Sequence, residues 1–226
     1  MAWDTEPQPV EIPVNGIRLQ GDLGIPVGAR GLVIFAHGSG SSRLSPRNTA
    51  VARVLREGGI GTLLFDLLTA VEDRVYERRF DIGLLTTRLV SATRWAQLDS
   101  RTANLPIGYF GASTGSAAAL FAAAELGTLI RAVVSRGGRP DLAMDALPRV
   151  QTPTLLIVGG DDDIVIDMNR QAAAALTAVK QLTIIPGATH LFEEPGTLEE
   201  VARQALEWFQ TWLPERHLRA AIDDAA

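Results

Sequence analysis

Ile107-Gly108-Tyr109-Phe110-Gly111-Ala112-Ser113-Thr114-Gly115 runs directly into Ser116-Ala117-Ala118-Ala119-Leu120-Phe121-Ala122-Ala123-Ala124-Glu125. The first four residues are a short apolar run, the length and character of a strand buried on both faces. The alanine-rich stretch is a strong helix former. Between them, Gly111 to Gly115 matches G-x-S-x-G, so strand, tight turn and helix follow one another in the setting that lifts a serine hydroxyl clear of a sheet edge. The turn is sharp enough to strain the backbone, and the flanking glycines are needed because side chains would collide across it.

The same rhythm extends in both directions. Gly31 to Phe35, Gly61 to Phe65, Ile130 to Ser135, Thr154 to Val158 and Leu182 to Ile185 are further continuous apolar runs, each expected to be a strand buried on both faces. Ahead of them, residues 10–24 read as a hairpin about Asn15-Gly16, the dipeptide favoured by a type I′ turn. Between the runs, Ile82, Leu85, Leu89, Ala92 and Ala96 recur at helical spacing, as do Leu198, Val201, Ala205, Phe209 and Trp212. Thr197 with Glu200 is expected to form a capping box opening that last helix. Trp208 and Trp212, four residues apart, read as packing residues. After Pro214 a short frayed helix is expected, with 223–226 disordered. Strand–helix alternation of this kind specifies an α/β class, a doubly wound, mostly parallel sheet entered through an antiparallel hairpin, and residues 1–226 read as one domain.

Composition narrows the function. With 46% hydrophobic residues and a net charge of −5 over 226 residues, the chain is neither disordered nor basic enough for a nucleic-acid module. It has no cysteine, which removes disulfides, thiolate metal sites and a cysteine nucleophile together. Of its 21 basic residues only Lys180 is lysine, leaving one candidate for Schiff-base chemistry. Met1 to Val10 shows no signal peptide, and Ala112 to Ile130 is too polar for a membrane span. A cytoplasmic protein with no membrane and no nucleic-acid partner is the expectation; no pattern distinguishes a monomer from a homodimer.

Ligands of doubly wound sheets bind beyond the carboxyl ends of the strands. Four loops there carry the chemistry: His37-Gly38-Ser39-Gly40, Gly111 to Gly115, Gly159-Gly160-Asp161-Asp162-Asp163 and Gly187-Ala188-Thr189-His190. A serine hydroxyl needs a base to take its proton. Of three histidines, His217 sits in the tail, His37 ends a strand where it would shape a loop or touch substrate, and His190 is the candidate base for Ser113. The base in turn needs a carboxylate; Asp162 is the first candidate, with Asp163 in reserve. Two backbone N–H groups should meet a developing oxyanion, those of Thr114 and Ser39. The acidic loop lacks the further oxygen ligands of a cation site, so neither metal nor cofactor is expected. Arg136 and Arg139, after the strand ending at Ser135, could meet a substrate carboxylate or pair with neighbours such as Asp141.

These segments, with Leu63-Leu64-Phe65-Asp66-Leu67-Leu68-Thr69 and Ser41-Ser42-Arg43, resemble the dienelactone hydrolase family of α/β-hydrolases across nearly the whole chain. The resemblance implies an α/β-hydrolase fold and a catalytic triad of Ser113, Asp162 and His190. It implies a carboxylesterase-like hydrolase acting on a small-molecule ester. The namesake enzymes carry cysteine where Ser113 stands, which places the likeness nearer serine carboxylesterase-like branches. Some relatives are fused to phosphoribosyltransferases, and no such domain is expected within these 226 residues. Only residues 136–152 separate Ser135 from the next strand, so no large lid is expected.

Two other classes are weighed against this. A short-chain dehydrogenase would need a third glycine where Ala117 stands and a lysine four residues after Tyr76 or Tyr109, where Phe80 and Ser113 stand. An inert hydrolase-fold ligand-binding protein would not need Ser113, Asp162 and His190 together.

Overall fold

The structure, a computed structural model, describes residues 6–214, so the expectations for the tail and for His217 lie outside the described residues. Strands β1 (Gln8–Val14) and β2 (Ile17–Gly24) form the hairpin, joined by Asn15 and Gly16 at φ +45° and +83°, the left-handed pair a type I′ turn demands. Then come β3 (Leu32–Ala36), α1 (Pro46–Glu57), β4 (Gly61–Phe65), α2 (Ile82–Leu98), β5 (Ile107–Ala112) and α3 (Thr114–Leu126). The chain continues through β6 (Ile130–Arg136), β7 (Thr154–Gly159), α4 (Asp163–Ala175), β8 (Lys180–Ile185) and α5 (Thr197–Trp212).

All eight described strands lie in one sheet, ordered β1-β2-β4-β3-β5-β6-β7-β8. β1 pairs antiparallel with β2 and β2 antiparallel with β4; every other pairing is parallel. Helices cover both faces. Side chains of α2, α3 and α4 pack with Leu32, Ile34, Tyr109 and Val133 on one side, and those of α1 and α5 with Val33, Phe35, Phe110 and Val134 on the other. Alternate residues of β3, β5 and β6 therefore feed two separate cores, which is why these runs are continuous and not alternating.

Two expectations fail, one through the place of a strand in the sheet and one through local backbone geometry. β8 closes the sheet at an edge, and of its residues only Ile185 is buried; Ile184 stands exposed. Thr197 and Glu200 do not form a capping box. Gly196 occupies the cap position at φ +84°, Thr197 Oγ1 donates to the Glu194 carbonyl, and Glu200 is held by Arg203. Trp208 and Trp212 stack at 5.7 Å between ring centroids against the α1/α5 core.

The six parallel strands, β3 to β8, deliver their following loops to one margin of the sheet, where the site is assembled. Between β6 and β7 there are only two short 3₁₀ turns, Pro140–Ala143 and Leu147–Arg149, so among the described residues no large insertion follows β6 to cover that margin. No described helix is long and apolar enough to cross a membrane.

Candidate active site

Ser113 sits at the β5–α3 turn with φ +49° and ψ −123°, a conformation costing a non-glycine residue about 1–3 kcal/mol. The surroundings hold it there. Its N–H donates to the Arg136 carbonyl at 3.2 Å. Its own carbonyl accepts from the Ser116 N–H, the Ser116 hydroxyl and the Arg139 N–H, at 3.1, 2.7 and 3.1 Å. The flanking glycines are required by contact: a Cβ on Gly111 would lie 2.4 Å from Ser116 Cα, and one on Gly115 2.1 Å from the Ala36 carbonyl oxygen.

Asp162 and His190 meet across adjacent loops. His190 Nδ1 donates to Asp162 Oδ2 at 2.7 Å, which leaves Nε2 as the acceptor face of the ring. Asp162 stands at the N-cap of α4, yet its carboxylate caps no helix amide, being turned toward His190. Asp163, one residue into the helix, is exposed and takes no part in this contact. Close approach of the two loops depends on Gly159, where a Cβ would fall 2.4 Å from the Ala188 carbonyl oxygen; the Asp161 N–H donates to that same oxygen at 2.9 Å. The His190 loop is fixed from its other side by Glu194, whose carboxylate accepts from the Thr189 N–H and hydroxyl at 3.0 and 2.6 Å. Those bonds hold the Glu194 carboxyl below its ordinary value. Glu194, unlike the Gly187 to His190 loop it holds, does not stand out in the sequence as part of the site.

Ser113 and His190 converge on the end of β6. Ser113 is bonded to Arg136, and a Cβ on the next residue, Gly137, would lie 3.6 Å from His190 Cε1. Among the described residues no hydrogen bond joins Ser113 Oγ to His190 in this arrangement; such bonds are commonly long before substrate arrives.

His37 is not an exposed base. Only 7% exposed, it accepts the Leu67 N–H on Nε2 at 3.0 Å and donates Nδ1–H to the Gly38 carbonyl at 3.0 Å. Both nitrogens are spent on tying the 37–40 loop to the end of β4, and burial lowers its pKa so that the neutral ring is favoured. Arg43 adds a second tie: its N–H and guanidinium reach Asp66 at 2.8 and 3.1 Å, and its Nε lies 3.0 Å from Asp22. The Ser39 N–H, expected to be free for an oxyanion, donates instead to Thr114 Oγ1 at 2.9 Å. The threonine hydroxyl, one residue after the serine, reaches that amide first.

The two arginines after β6 meet different fates, and Arg139 takes the pairing expected as the alternative to a substrate contact. Arg139 is paired with Asp141 through two bonds of 2.9 and 2.8 Å. Arg136 is only 6% exposed, lies over the Phe192 ring at 5.7 Å, and has one long contact of 3.5 Å to Asn48 Oδ1. Its Nε has no partner, no described carboxylate pairs with it, and burial, with the nearby Arg47 charge, pushes its pKa down to about 10. It is buried against Phe192 and Asn48. A buried charge without a counterion is costly, so Arg136→Met, which keeps the apolar stem, should raise the unfolding free energy by about 1–3 kcal/mol in urea melts at pH 7. Arg136→Ala should lower it by opening a cavity. A fall for the methionine variant would mean that the guanidinium is better satisfied than its contacts imply.

No described cluster of His, Asp and Glu residues could hold a metal ion. Larger open clefts lie at the opposite margin, one lined by Arg30, Leu105 and Thr128, another by Val179, Lys180 and Trp208, remote from Ser113. The chemistry-bearing residues sit on the shallow, uncovered side.

A parallel sheet with helices on both faces, a serine on a strained strand–helix turn and a His–Asp contact in the loops after β7 and β8 define a protein of the α/β-hydrolase class. A family model described as dienelactone hydrolase family matches residues 56–214, and the chain belongs to that family. It is 57% identical to a dienelactone hydrolase of Anabaena variabilis whose crystal structure superposes with a TM-score of 0.89, over 92% of this chain and 99% of that one. Est1E of Butyrivibrio proteoclasticus shares the fold at 18% identity, TM-score 0.78, over 90% of this chain and 98% of its own. A Mycobacterium tuberculosis protein named "Putative phosphoribosyl transferase" is 56% identical over 200 residues, covering 88% of this chain. The chain spans only 45% of that relative's length.

Proposed function

We propose that this protein is a serine hydrolase that cleaves carboxylic esters of small or medium size through an acyl-enzyme. The observation that carries the reading is the 2.7 Å contact of His190 Nδ1 with Asp162, which occupies that nitrogen and leaves Nε2 for the serine proton at the strand end where the strained Ser113 stands. In the first half-reaction His190 Nε2 takes the Ser113 proton as Oγ attacks the ester carbonyl carbon. The carbonyl oxygen takes the negative charge beside the Thr114 N–H, an amide at the first turn of α3 with no intrahelical partner. The tetrahedral intermediate collapses, the alcohol leaves with the proton from His190, and the acyl group stays on Ser113. Water, deprotonated by His190, then releases the acid. Asp162 holds the ring orientation and stabilises the imidazolium; it does not accept the proton. The reading calls for no metal and no cofactor.

The uncovered margin suits compact esters and supplies no lid for interfacial activation. The family's namesake chemistry uses a cysteine, and Ser113 in its place supports a simple ester in preference to the dienelactone. Incubation with an alkyl fluorophosphonate, read by intact mass and peptide mapping, should give one adduct on Ser113. A chain-length series of p-nitrophenyl esters should favour short acyl groups. A protein left unlabelled and inert toward the series would be a ligand-binding member of the fold, and the proposal would fall.

A further inference from the structure

Among the described α-helical residues, the serine and threonine hydroxyls other than that of Thr114 share one habit: each donates to a backbone carbonyl three or four residues back. Thr49 reaches Pro46, Thr86 Ile82, Thr87 Gly83, Ser91 Thr87, Thr93 Leu89, Ser116 Ser113, Thr197 Glu194 and Thr211 Glu207. This is the usual outlet for a hydroxyl on a helix, since it satisfies the O–H without leaving the turn.

Thr114 is the exception among the described helical residues. It is the first residue of α3, as Thr197 is of α5, but the positions three and four before it, Gly111 and Phe110, lie in extended strand β5. Its Oγ1 accepts the Ser39 N–H at 2.9 Å and donates to no described acceptor. The side chain is only 2% exposed. A buried hydroxyl that accepts one bond and offers its own proton to nothing is a donor waiting for a partner. It sits between the Ser39 loop and the Ser113 turn, beside the Thr114 N–H.

Resting on the serine-hydrolase reading, we infer that the Thr114 hydroxyl, and not the Ser39 N–H, is the second donor to the oxyanion. Ser39 acts one step back: by donating to Oγ1 it polarises the hydroxyl and fixes its lone pair, so that the O–H points at the developing charge. When Ser113 Oγ bonds to the carbonyl carbon, the π electrons move to oxygen and the serine proton moves to His190. The Thr114 O–H donates a hydrogen bond and keeps its proton throughout. One residue then supplies two donors, its backbone N–H and its side-chain O–H, and Ser39 is a positioning residue. The Ser39 loop is in turn held by His37 on Leu67 and by Arg43 on Asp66, which gives those buried ties a role in the chemistry.

The test compares Thr114→Val, which keeps the shape and removes the hydroxyl, with Thr114→Ser, which keeps the hydroxyl and removes the methyl. Labelling rates with an alkyl fluorophosphonate are measured for both and for the parent; in that reaction an Oγ–P bond forms, fluoride leaves, and the phosphoryl oxygen takes the place of the oxyanion. Thr114→Val should label about 10- to 100-fold more slowly, with p-nitrophenyl acetate kcat falling likewise and KM nearly unchanged. Thr114→Ser should stay within about threefold of the parent. If the parent protein is not labelled, the serine-hydrolase reading itself fails and takes this inference with it. If the parent is labelled and Thr114→Val reacts at the same rate or faster, the reading stands and the hydroxyl is no donor. Equal losses in both variants would assign the effect to packing and overturn the inference. Should Thr114→Val also melt at a markedly lower temperature, the ratio of oxoester to thionoester turnover decides. Sulfur accepts hydrogen bonds poorly, so a lost donor lowers that ratio, whereas a merely loosened loop leaves it unchanged, which would sink the inference.

Discussion

Ser113→Ala should lower turnover of a p-nitrophenyl acyl ester by about four to six orders of magnitude and abolish fluorophosphonate labelling. The size of the effect follows from the role: without Oγ there is no acyl-enzyme, and what remains is binding plus the donors at Thr114 acting on water. The variant should also be folded and slightly more stable. The backbone strain at φ +49° remains with alanine, but the partly buried hydroxyl, for which no described acceptor exists, is gone. Full activity in a rigorously pure preparation would remove Ser113 from the mechanism, and with it the proposed function.

Asp162→Asn should reduce kcat by about 10⁴-fold, while Asp163→Asn stays within about threefold of the parent. The two carboxylates are adjacent in sequence and differ only in what they face. Asp162 accepts from His190 Nδ1 at 2.7 Å; an amide there can present its NH₂ to the ring and favour the tautomer with the proton on Nε2, where it cannot accept from Ser113. Asp163 is an exposed residue in the first turn of α4, where its charge complements the helix dipole by about 0.3–1 kcal/mol. Collapse of the Asp163 variant with an active Asp162 variant would invert the assignment.

Much of this architecture is written in short-range pattern. The hairpin follows from Asn15-Gly16, and the central strands from runs long enough to face two cores. Ser113 stands out because G-x-S-x-G follows one such run, and because Gly111 and Gly115 are dictated by backbone approaches of 2.4 and 2.1 Å. What the pattern misses depends on partners remote in sequence. The fate of the Ser39 N–H is decided by Thr114, 75 positions away, and that of His37 by Leu67, 30 positions away. Arg136 reads as a cation that meets substrate or pairs with a neighbouring carboxylate, yet Asn48 and Phe192 bury it, one from α1 and the other from the loop before α5. The apolar run of β8 gives no hint that it is the last strand, because edge position is a property of the whole sheet. The capping box failed for a local reason that outranks the motif: a glycine immediately before Thr197 adopts the left-handed conformation and moves the helix start.

Strand β8 enters the sheet at Lys180 and leaves it at Ile185, on the way to His190. The sole ε-amine of the sequence therefore stands at the far rim, roughly 16 Å of strand from the loops bearing Asp162 and His190 at about 3.3 Å per residue. Tethering through that amine to a bead or electrode would orient every molecule alike, with its open face turned toward the bulk liquid.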